Sequence, residues 1–144
     1  MAEVHIAAVS VDEAWSRLKA DAGSVLIDVR TIAEWAYVGL PDLSSIGKRP
    51  VLVEWQGFPD DRQNTAFVER VTEALNPLGA DHDTELFFIC RSGQRSLKAA
   101  QAMAAAGYRR CRNVADGFEG PLDANRHRGQ IGGWKARGLP WAQG

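Results

Sequence analysis

Short continuous apolar runs alternate along this chain with segments whose apolar residues recur at helical spacing, and that alternation limits the fold most. Val25-Leu26-Ile27-Asp28-Val29, Val51-Leu52-Val53 and Leu86-Phe87-Phe88-Ile89 are rich in β-branched or aromatic residues and bounded by turn formers. Runs of this kind read as strands buried on both faces. Ser10-Val11-Asp12-Glu13 has the capping-box pattern, followed by an apolar face of Val11, Ala14, Trp15 and Leu18. Thr31 and Glu34 mark a second, shorter helix start. Asn64 heads a third helix, with Phe67, Val68, Val71 and Leu75 inward and Pro77 at its end. A fourth spans about residues 95–106 and closes at Gly107, where a left-handed cap favours glycine. A weak strand is expected near Cys111–Val114 and a last helical piece around Trp134–Arg137. Alternating strand and helix predicts an α/β layer with a mainly parallel sheet. Ligands of such sheets bind beyond the carboxyl ends of the strands, which points to the loops after residues 29, 54, 89 and 114.

The chain has 144 residues, a length suited to one domain over 1–144. No apolar run approaches the roughly 18 residues of a membrane-spanning helix, and the N-terminus has no secretory pattern, so no membrane partner is expected. Two cysteines, Cys90 and Cys111, make no disulfide framework, and a cytoplasmic location is the expectation. Net charge is −1, but it is a cancellation. Residues 1–85 carry 7 Lys and Arg against 15 Asp and Glu, and residues 86–144 carry 10 against 3, so −8 meets +7. The basic half is read as the field of an anion site, with Arg109, Arg110 and Arg112 broadening it, and it requires no nucleic acid.

The loop Cys90-Arg91-Ser92-Gly93-Gln94-Arg95-Ser96 stands between a strand and a helix. A cysteine there is held by rigid backbone, and Gly93 permits the left-handed turn that aims consecutive N–H groups inward. The following helix directs its N-terminal dipole to the same spot, while Arg91 and Arg95 add positive charge. All three influences favour thiolate over thiol and make Cys90 the candidate nucleophile beside an oxyanion pocket. The bland alternative, a packed core cysteine, leaves two cations opposing a helix dipole without an anion to justify them.

At this loop the sequence resembles the rhodanese family of sulfurtransferases. Leu26-Ile27-Asp28-Val29-Arg30 with Glu34-Trp35 is similar to the family's Asp-x-Arg strand end and its Glu-aromatic helix. Phe88-Ile89-Cys90 through Ser96 is similar to the active-site loop of single-domain members. Gly107-Tyr108, Asn113-Val114, Asp116-Gly117, Gly133-Trp134 and Gly138-Leu139-Pro140 are similar to its closing segments. The resemblance implies a mainly parallel five-stranded sheet with helices on both faces. It also implies transfer of sulfane sulfur, without a cofactor, from thiosulfate or a similar small anionic donor. Cys90 would carry the sulfur as a persulfide within the substrate-binding loop of Arg91, Ser92, Gly93, Gln94 and Arg95, the two arginines holding the donor's anionic end. A thiol, cyanide or a sulfur-accepting protein would then remove it. Cysteine-based phosphatases and arsenate reductases are the rival class, but they use Cys-x5-Arg where Cys90 to Arg95 is Cys-x4-Arg. A sulfur carrier or regulatory module serving a partner protein is the other alternative.

Other residues are weaker candidates. Trp55, in Trp55-Gln56-Gly57-Phe58-Pro59, is a candidate wall of the pocket, and Asp28 a candidate for its rim. Arg30 and Glu34 have the i,i+4 spacing of an ion pair pinning the strand-to-helix corner. Cys111 reads as a packed strand cysteine or as a resolving thiol. His5 and His82 form no metal-site spacing. The chain departs from the family at Gly39-Leu40-Pro41-Asp42-Leu43, where many members have Gly-His-Ile-x-Gly-Ala. It also carries an insertion, Phe118–Gly132, whose Arg126-His127-Arg128 is a candidate basic flap over the pocket.

Overall fold

A computed structural model describes residues 5–56 and 64–143. Five strands form the main sheet: β1 (Ala7–Val9), β2 (Val25–Asp28), β4 (Val51–Leu52), β5 (Glu85–Ile89) and β6 (Arg110–Val114), in the order β1-β6-β5-β2-β4. Every pairing in it is parallel. A separate antiparallel pair joins β3 (Leu40–Pro41) to β7 (Trp141–Ala142). The helices are α1 (Val11–Ala20), α2 (Ile32–Tyr37), α3 (Phe67–Leu75) and α4 (Gln94–Ala105).

Alternation along the two central strands divides the core into two layers, as the period of a pleated strand requires. Val25, Ile27, Leu86 and Phe88 face a cluster containing Phe67, Val71 and Leu75 of α3 and Ala99, Ala100 and Met103 of α4. Leu26, Phe87 and Ile89 face the opposite cluster, with Val11, Ala14 and Leu18 of α1, plus Phe118 and Trp134. Every residue of β2 and β5 is buried, whereas Leu52 on the edge strand β4 is 40% exposed. Each large apolar side chain buried in these layers contributes about 1.5–3 kcal/mol.

Helix boundaries follow their caps. Ser10 Oγ accepts the Glu13 N–H at 3.1 Å, while the Glu13 carboxylate reaches forward to Arg17 at 3.6 Å. At Thr31 both halves of the capping box are present. Asn64 is not the cap of α3: its side chain accepts the Ala66 N–H in an Asx turn just before the helix and donates to the Glu54 carbonyl, while the N-cap position is Ala66, which makes no side-chain cap bond. The stretch around Trp134–Arg137 is a series of turns rather than a helix. Its single wide turn, Arg137 N–H to the Gly133 carbonyl, runs out at Gly138, which has φ 72°.

The connections leave β2 towards β4 and leave β5 in the opposite direction, towards β6. A crevice therefore opens between β2 and β5 at their carboxyl ends, the place where parallel sheets hold ligands. Asp28 pairs with Ile89 in register, and the next residues along β5 are Cys90 and its loop.

Candidate active site

Cys90 is 1% exposed and lies at the floor of a cavity of about 660 Å³. The cavity is walled by the loop after β5 (Arg91, Ser92, Gln94, Arg95), by α2 and its cap (Thr31, Ala33, Glu34, Tyr37, Val38), and by Gln56 and Glu119. These four regions follow β5, β2, β4 and β6, the strand ends to which the sequence directed attention.

The loop is built around the sulfur. Gly93 adopts φ 100°, and its N–H donates to Cys90 Sγ at 3.1 Å. The Ser96 N–H donates to the same sulfur at 3.4 Å, and Ser96 Oγ lies 3.2 Å from it. Ser96 Oγ in turn donates to Asn113 Oδ1 at 2.6 Å, and Asn113 Nδ2 donates to the Gly93 carbonyl at 3.1 Å. Asn113 thus orients both groups that address the sulfur. A Cβ on Gly93 would run into the Ala115 carbonyl, so only glycine suits this backbone and this close approach. The backbone N–H groups of Arg91, Ser92, Gln94 and Arg95 have no hydrogen-bond partner among the described residues. They are donors available to an anion at a helix start.

The turn after β6 braces this loop. The Phe118 N–H donates to the Cys90 carbonyl at 2.8 Å, and the N–H groups of Glu119 and Gly120 both donate to the Arg91 carbonyl at 3.1 Å. The first step of the insertion is therefore locked to the nucleophile's own backbone.

Arg95 has a different occupation from the donor-binding one implied by the resemblance. Its Nη1 and Nη2 donate to the two carboxylate oxygens of Glu34, at 2.7 and 3.0 Å. Burial works against both charges, but the paired bonds outweigh it. Glu34 is held below the usual carboxylate range and Arg95 above its ordinary value. Glu34 also receives the Thr31 N–H, so one carboxylate caps α2 and anchors the loop. The expected Arg30–Glu34 pair is absent. Arg30 lies in a bend before the Thr31 cap, outside α2, where the helical i,i+4 relation does not apply, and it folds back onto Asp28 instead.

That Arg30–Asp28 pair is fully buried. Nη2 lies 2.6 Å from Oδ2, Nε donates to both carboxylate oxygens, and the guanidinium carbon stands 4.2 Å from the centre of the Phe118 ring. Asp28 therefore supports the site from below and does not line the cavity. Trp55 does not line it either: it is 8% exposed and packs edge-on against Phe67 at 5.1 Å, leaving Gln56 as the wall residue. Gly57, Phe58 and Pro59 lie outside the described residues. Arg126 and His127 are exposed and away from the cavity wall, in a turn organised by Asp123, which accepts the N–H groups of Asn125, Arg126 and His127. Arg128 points back to the Gly120 carbonyl at 2.9 Å. The insertion's contribution to the cavity is the acidic Glu119, not a basic flap.

Cys111 belongs to the apolar layer beside α4, and burial pushes its thiol up to about 11. It pairs in register with Leu86, four residues before Cys90, which places it about 13 Å along the strand from the nucleophile. A direct disulfide is beyond that span. No His, Cys, Asp and Glu cluster able to hold a metal occurs among the described residues. Among them, too, no helix is long and apolar enough to cross a membrane. Sequence reasoning missed Glu119, Asn113 and the second role of Glu34. The capping-box spacing identified Glu34 only as a helix start, and nothing local ties Asn113 or Glu119 to Cys90.

Comparison with known proteins agrees with this architecture. The family model described as STR4 middle domain matches residues 6–144. The crystal structure of Rv0390 from M. tuberculosis superposes with a TM-score of 0.87 at 42% identity, covering 98% of this chain and 100% of that one. An uncharacterized protein of Rickettsia conorii is 36% identical over 129 residues, 90% of this chain and 91% of its own. Thiosulfate sulfurtransferase 18 of Arabidopsis thaliana is 36% identical over 111 residues, 76% of this chain and 75% of its own. The chain belongs to the rhodanese-like sulfurtransferase family.

Proposed function

We propose that this protein moves sulfane sulfur from thiosulfate, or a donor of similar charge and size, to a thiophilic acceptor through a persulfide on Cys90. The observation that carries the reading is the sulfur-centred loop: two N–H groups address Cys90 Sγ, and four more stand unpartnered around the space above it. The Cys90 thiolate attacks the outer sulfur of thiosulfate and forms a new S–S bond. The donor's own S–S bond breaks, and its electron pair leaves with sulfite. The outer, negatively charged persulfide sulfur then lies among the free N–H groups of Arg91, Ser92, Gln94 and Arg95, an oxyanion-type arrangement for a sulfur anion. Arg91, whose side chain has no partner among the described residues, faces the departing sulfite. In the second half, an acceptor nucleophile takes the outer sulfur and Cys90 leaves as thiolate. Electrons balance in each half without a redox cofactor.

The test is intact-mass measurement after incubation with thiosulfate. Wild type should gain one sulfur atom, lose it on adding cyanide, and show no gain as Cys90→Ala. A wild-type protein that takes up no sulfur would overturn the proposal.

A further inference from the structure

Helix α2 walls the cavity without an apolar anchor. None of its residues, Ile32–Tyr37, is buried, so polar ties rather than packing decide where it lies. Its first turn is fastened to the nucleophile's loop through Glu34 and Arg95. Its far end, which gives Tyr37 and Val38 to the cavity, is fastened by side chains from elsewhere in the sequence. Three successive carbonyls are each taken by a different donor. Gln143 Nε2 donates to the Tyr37 carbonyl at 2.7 Å, Lys135 Nζ to that of Val38 at 2.7 Å, and Arg30 Nη2 to that of Gly39 at 2.8 Å. The last carbonyls of a helix have no partner within it, and side-chain donors are one way to satisfy them.

Lys135 is the centre of this clamp. Its ammonium stands 3.9 Å from the centre of the Trp141 ring and 5.5 Å from that of Phe118, the ring that also meets the Arg30 guanidinium carbon at 4.2 Å. Phe118 is the residue whose N–H holds the Cys90 carbonyl. No carboxylate forms an ion pair with Lys135 among the described residues. Burial draws its ammonium below the usual lysine range, with the Glu119 carboxylate opposing the shift and Arg30 adding to it. An apolar side chain at this position would pack on the same two rings; what the lysine adds is a cation and a bond that reaches α2. We propose that Lys135 is a specificity-determining residue: by tethering the end of α2 it fixes the wall formed by Tyr37 and Val38, and so limits the size of the reagent that reaches Cys90. It touches no reacting atom and acts as a positioning residue. The inference rests on the sulfurtransferase reading for its use in the reaction, but the size limit belongs to access and is measurable without sulfur transfer.

Iodoacetamide and N-phenyl iodoacetamide serve as the first pair of probes. Both are neutral, and with both the Cys90 thiolate forms a C–S bond as iodide leaves, so they differ in bulk alone. Alkylation is followed by mass on the Cys90 peptide. Cys111, buried in the core, stays unlabelled while the fold is intact and so reports unfolding in the same experiment. The ratio of the bulky to the small reagent's rate should rise about five-fold in Lys135→Met. It should stay near the wild-type ratio in Lys135→Arg, which retains a charge, a donor and a plane to stack on Trp141. Methanethiosulfonate and benzenethiosulfonate repeat the comparison with sulfur transfer. Each carries one negative charge, gives its outer sulfur to Cys90 and leaves as a sulfinate, and the uptake ratio should move in the same direction. Gln143→Ala removes an exposed side chain from the same clamp and should shift both ratios the same way by about two-fold; it takes the place of Lys135→Met if that variant does not fold. Alkylation ratios that keep the wild-type value, or that rise as far in Lys135→Arg as in Lys135→Met, would overturn this inference. Alkylation ratios that move as expected while neither thiosulfonate delivers sulfur would sink the sulfurtransferase reading alone.

Discussion

Glu34 shows how much one side chain can hold at a strand-to-helix corner. Its Oε1 takes the Thr31 N–H at 3.1 Å and Arg95 Nη1 at 2.7 Å, and Oε2 takes Nη2 at 3.0 Å. The first bond starts α2, and the other two fasten the loop that carries Cys90. Burial raises the cost of its charge, but Arg95 more than compensates, so the carboxyl titrates below its ordinary value. The sign of the pH effect follows. A folded-state value below the unfolded one, about 4.3 for glutamate, gives stability that is fully present above that value. It is lost as pH falls through the folded value. Glu34→Gln should therefore be less stable than wild type by roughly 1–2 kcal/mol near neutrality, and the gap should close as pH drops below about 4. Urea titrations between pH 3 and 7 would read this, and a gap that persists at pH 3 would refute it. The sequence identified Thr31 and Glu34 as a cap because that signal is local. The bond to Arg95, 61 positions away, belongs to the sheet topology and leaves no local trace.

At the scale of elements, the long strands and helices were legible, as were the short β4 and α2, while β1, β3 and β7 were not. β2, β5, α1, α3 and α4 each carry enough residues for a period to appear, and all lie within a residue or two of their expected bounds, except α3, which starts at Phe67 behind an Ala66 cap and not at Asn64. β1 has three residues, and β3 and β7 have two each, too few for any alternation to register. What those short pieces do is close the molecule around the site. Trp134 is fully buried, its N–H donates to the Gly117 carbonyl at 2.9 Å, and its ring nitrogen donates to the Pro140 carbonyl at 2.6 Å. It also meets Trp15 of α1 edge-on at 5.8 Å. Beyond it, β7 pairs with β3, and Lys135 reaches the Val38 carbonyl at the end of α2 at 2.7 Å. The C-terminal segment therefore straps α2 to the turn at Gly117, which itself braces the Cys90 and Arg91 carbonyls. Trp134→Phe, which retains a ring but loses the bond to Pro140 and part of the volume, should cost about 1–3 kcal/mol of stability. Because the strap supports the cavity wall, sulfur uptake should fall in the same variant while it is still folded. Thermal melts and thiosulfate loading at a temperature well below the transition separate the two effects. Full stability with this variant would show that the strap carries no load.

For the whole molecule, the division into an acidic first part and a basic last part turns out to be a pattern of internal pairing. Glu85, only 3% exposed, gathers Arg17, Arg112 and Arg110 at 2.8, 3.2 and 3.7 Å. Arg109 meets Asp83, Arg137 meets Asp12, and Arg95 meets Glu34. Five arginines of the basic part thus find carboxylates of the acidic part across the fold. Arg109, Arg110 and Arg112 moreover stand at the start of β6, and β6 runs parallel to β5, so they lie at the sheet edge opposite Cys90. A count along the chain cannot reveal this, because it registers charge by position and not by which end of a strand it occupies. The expectation that these three arginines broaden the field of the anion site is thereby replaced. At the cavity, Arg95 is offset by Glu34, and Glu119 lines the same wall as Arg91 and acts on Lys135, so no concentrated positive patch forms at the mouth to draw a dianion from a distance. The rate of sulfur uptake from thiosulfate should then be only weakly sensitive to salt, changing by less than about three-fold between roughly 20 and 200 mM ionic strength. Long-range steering by a concentrated positive patch would instead produce a fall of tenfold or more over that range. Stopped-flow or quenched loading measurements across the salt series distinguish these outcomes. In Glu119→Gln the salt dependence should steepen, because removing one carboxylate leaves a net positive charge at the mouth.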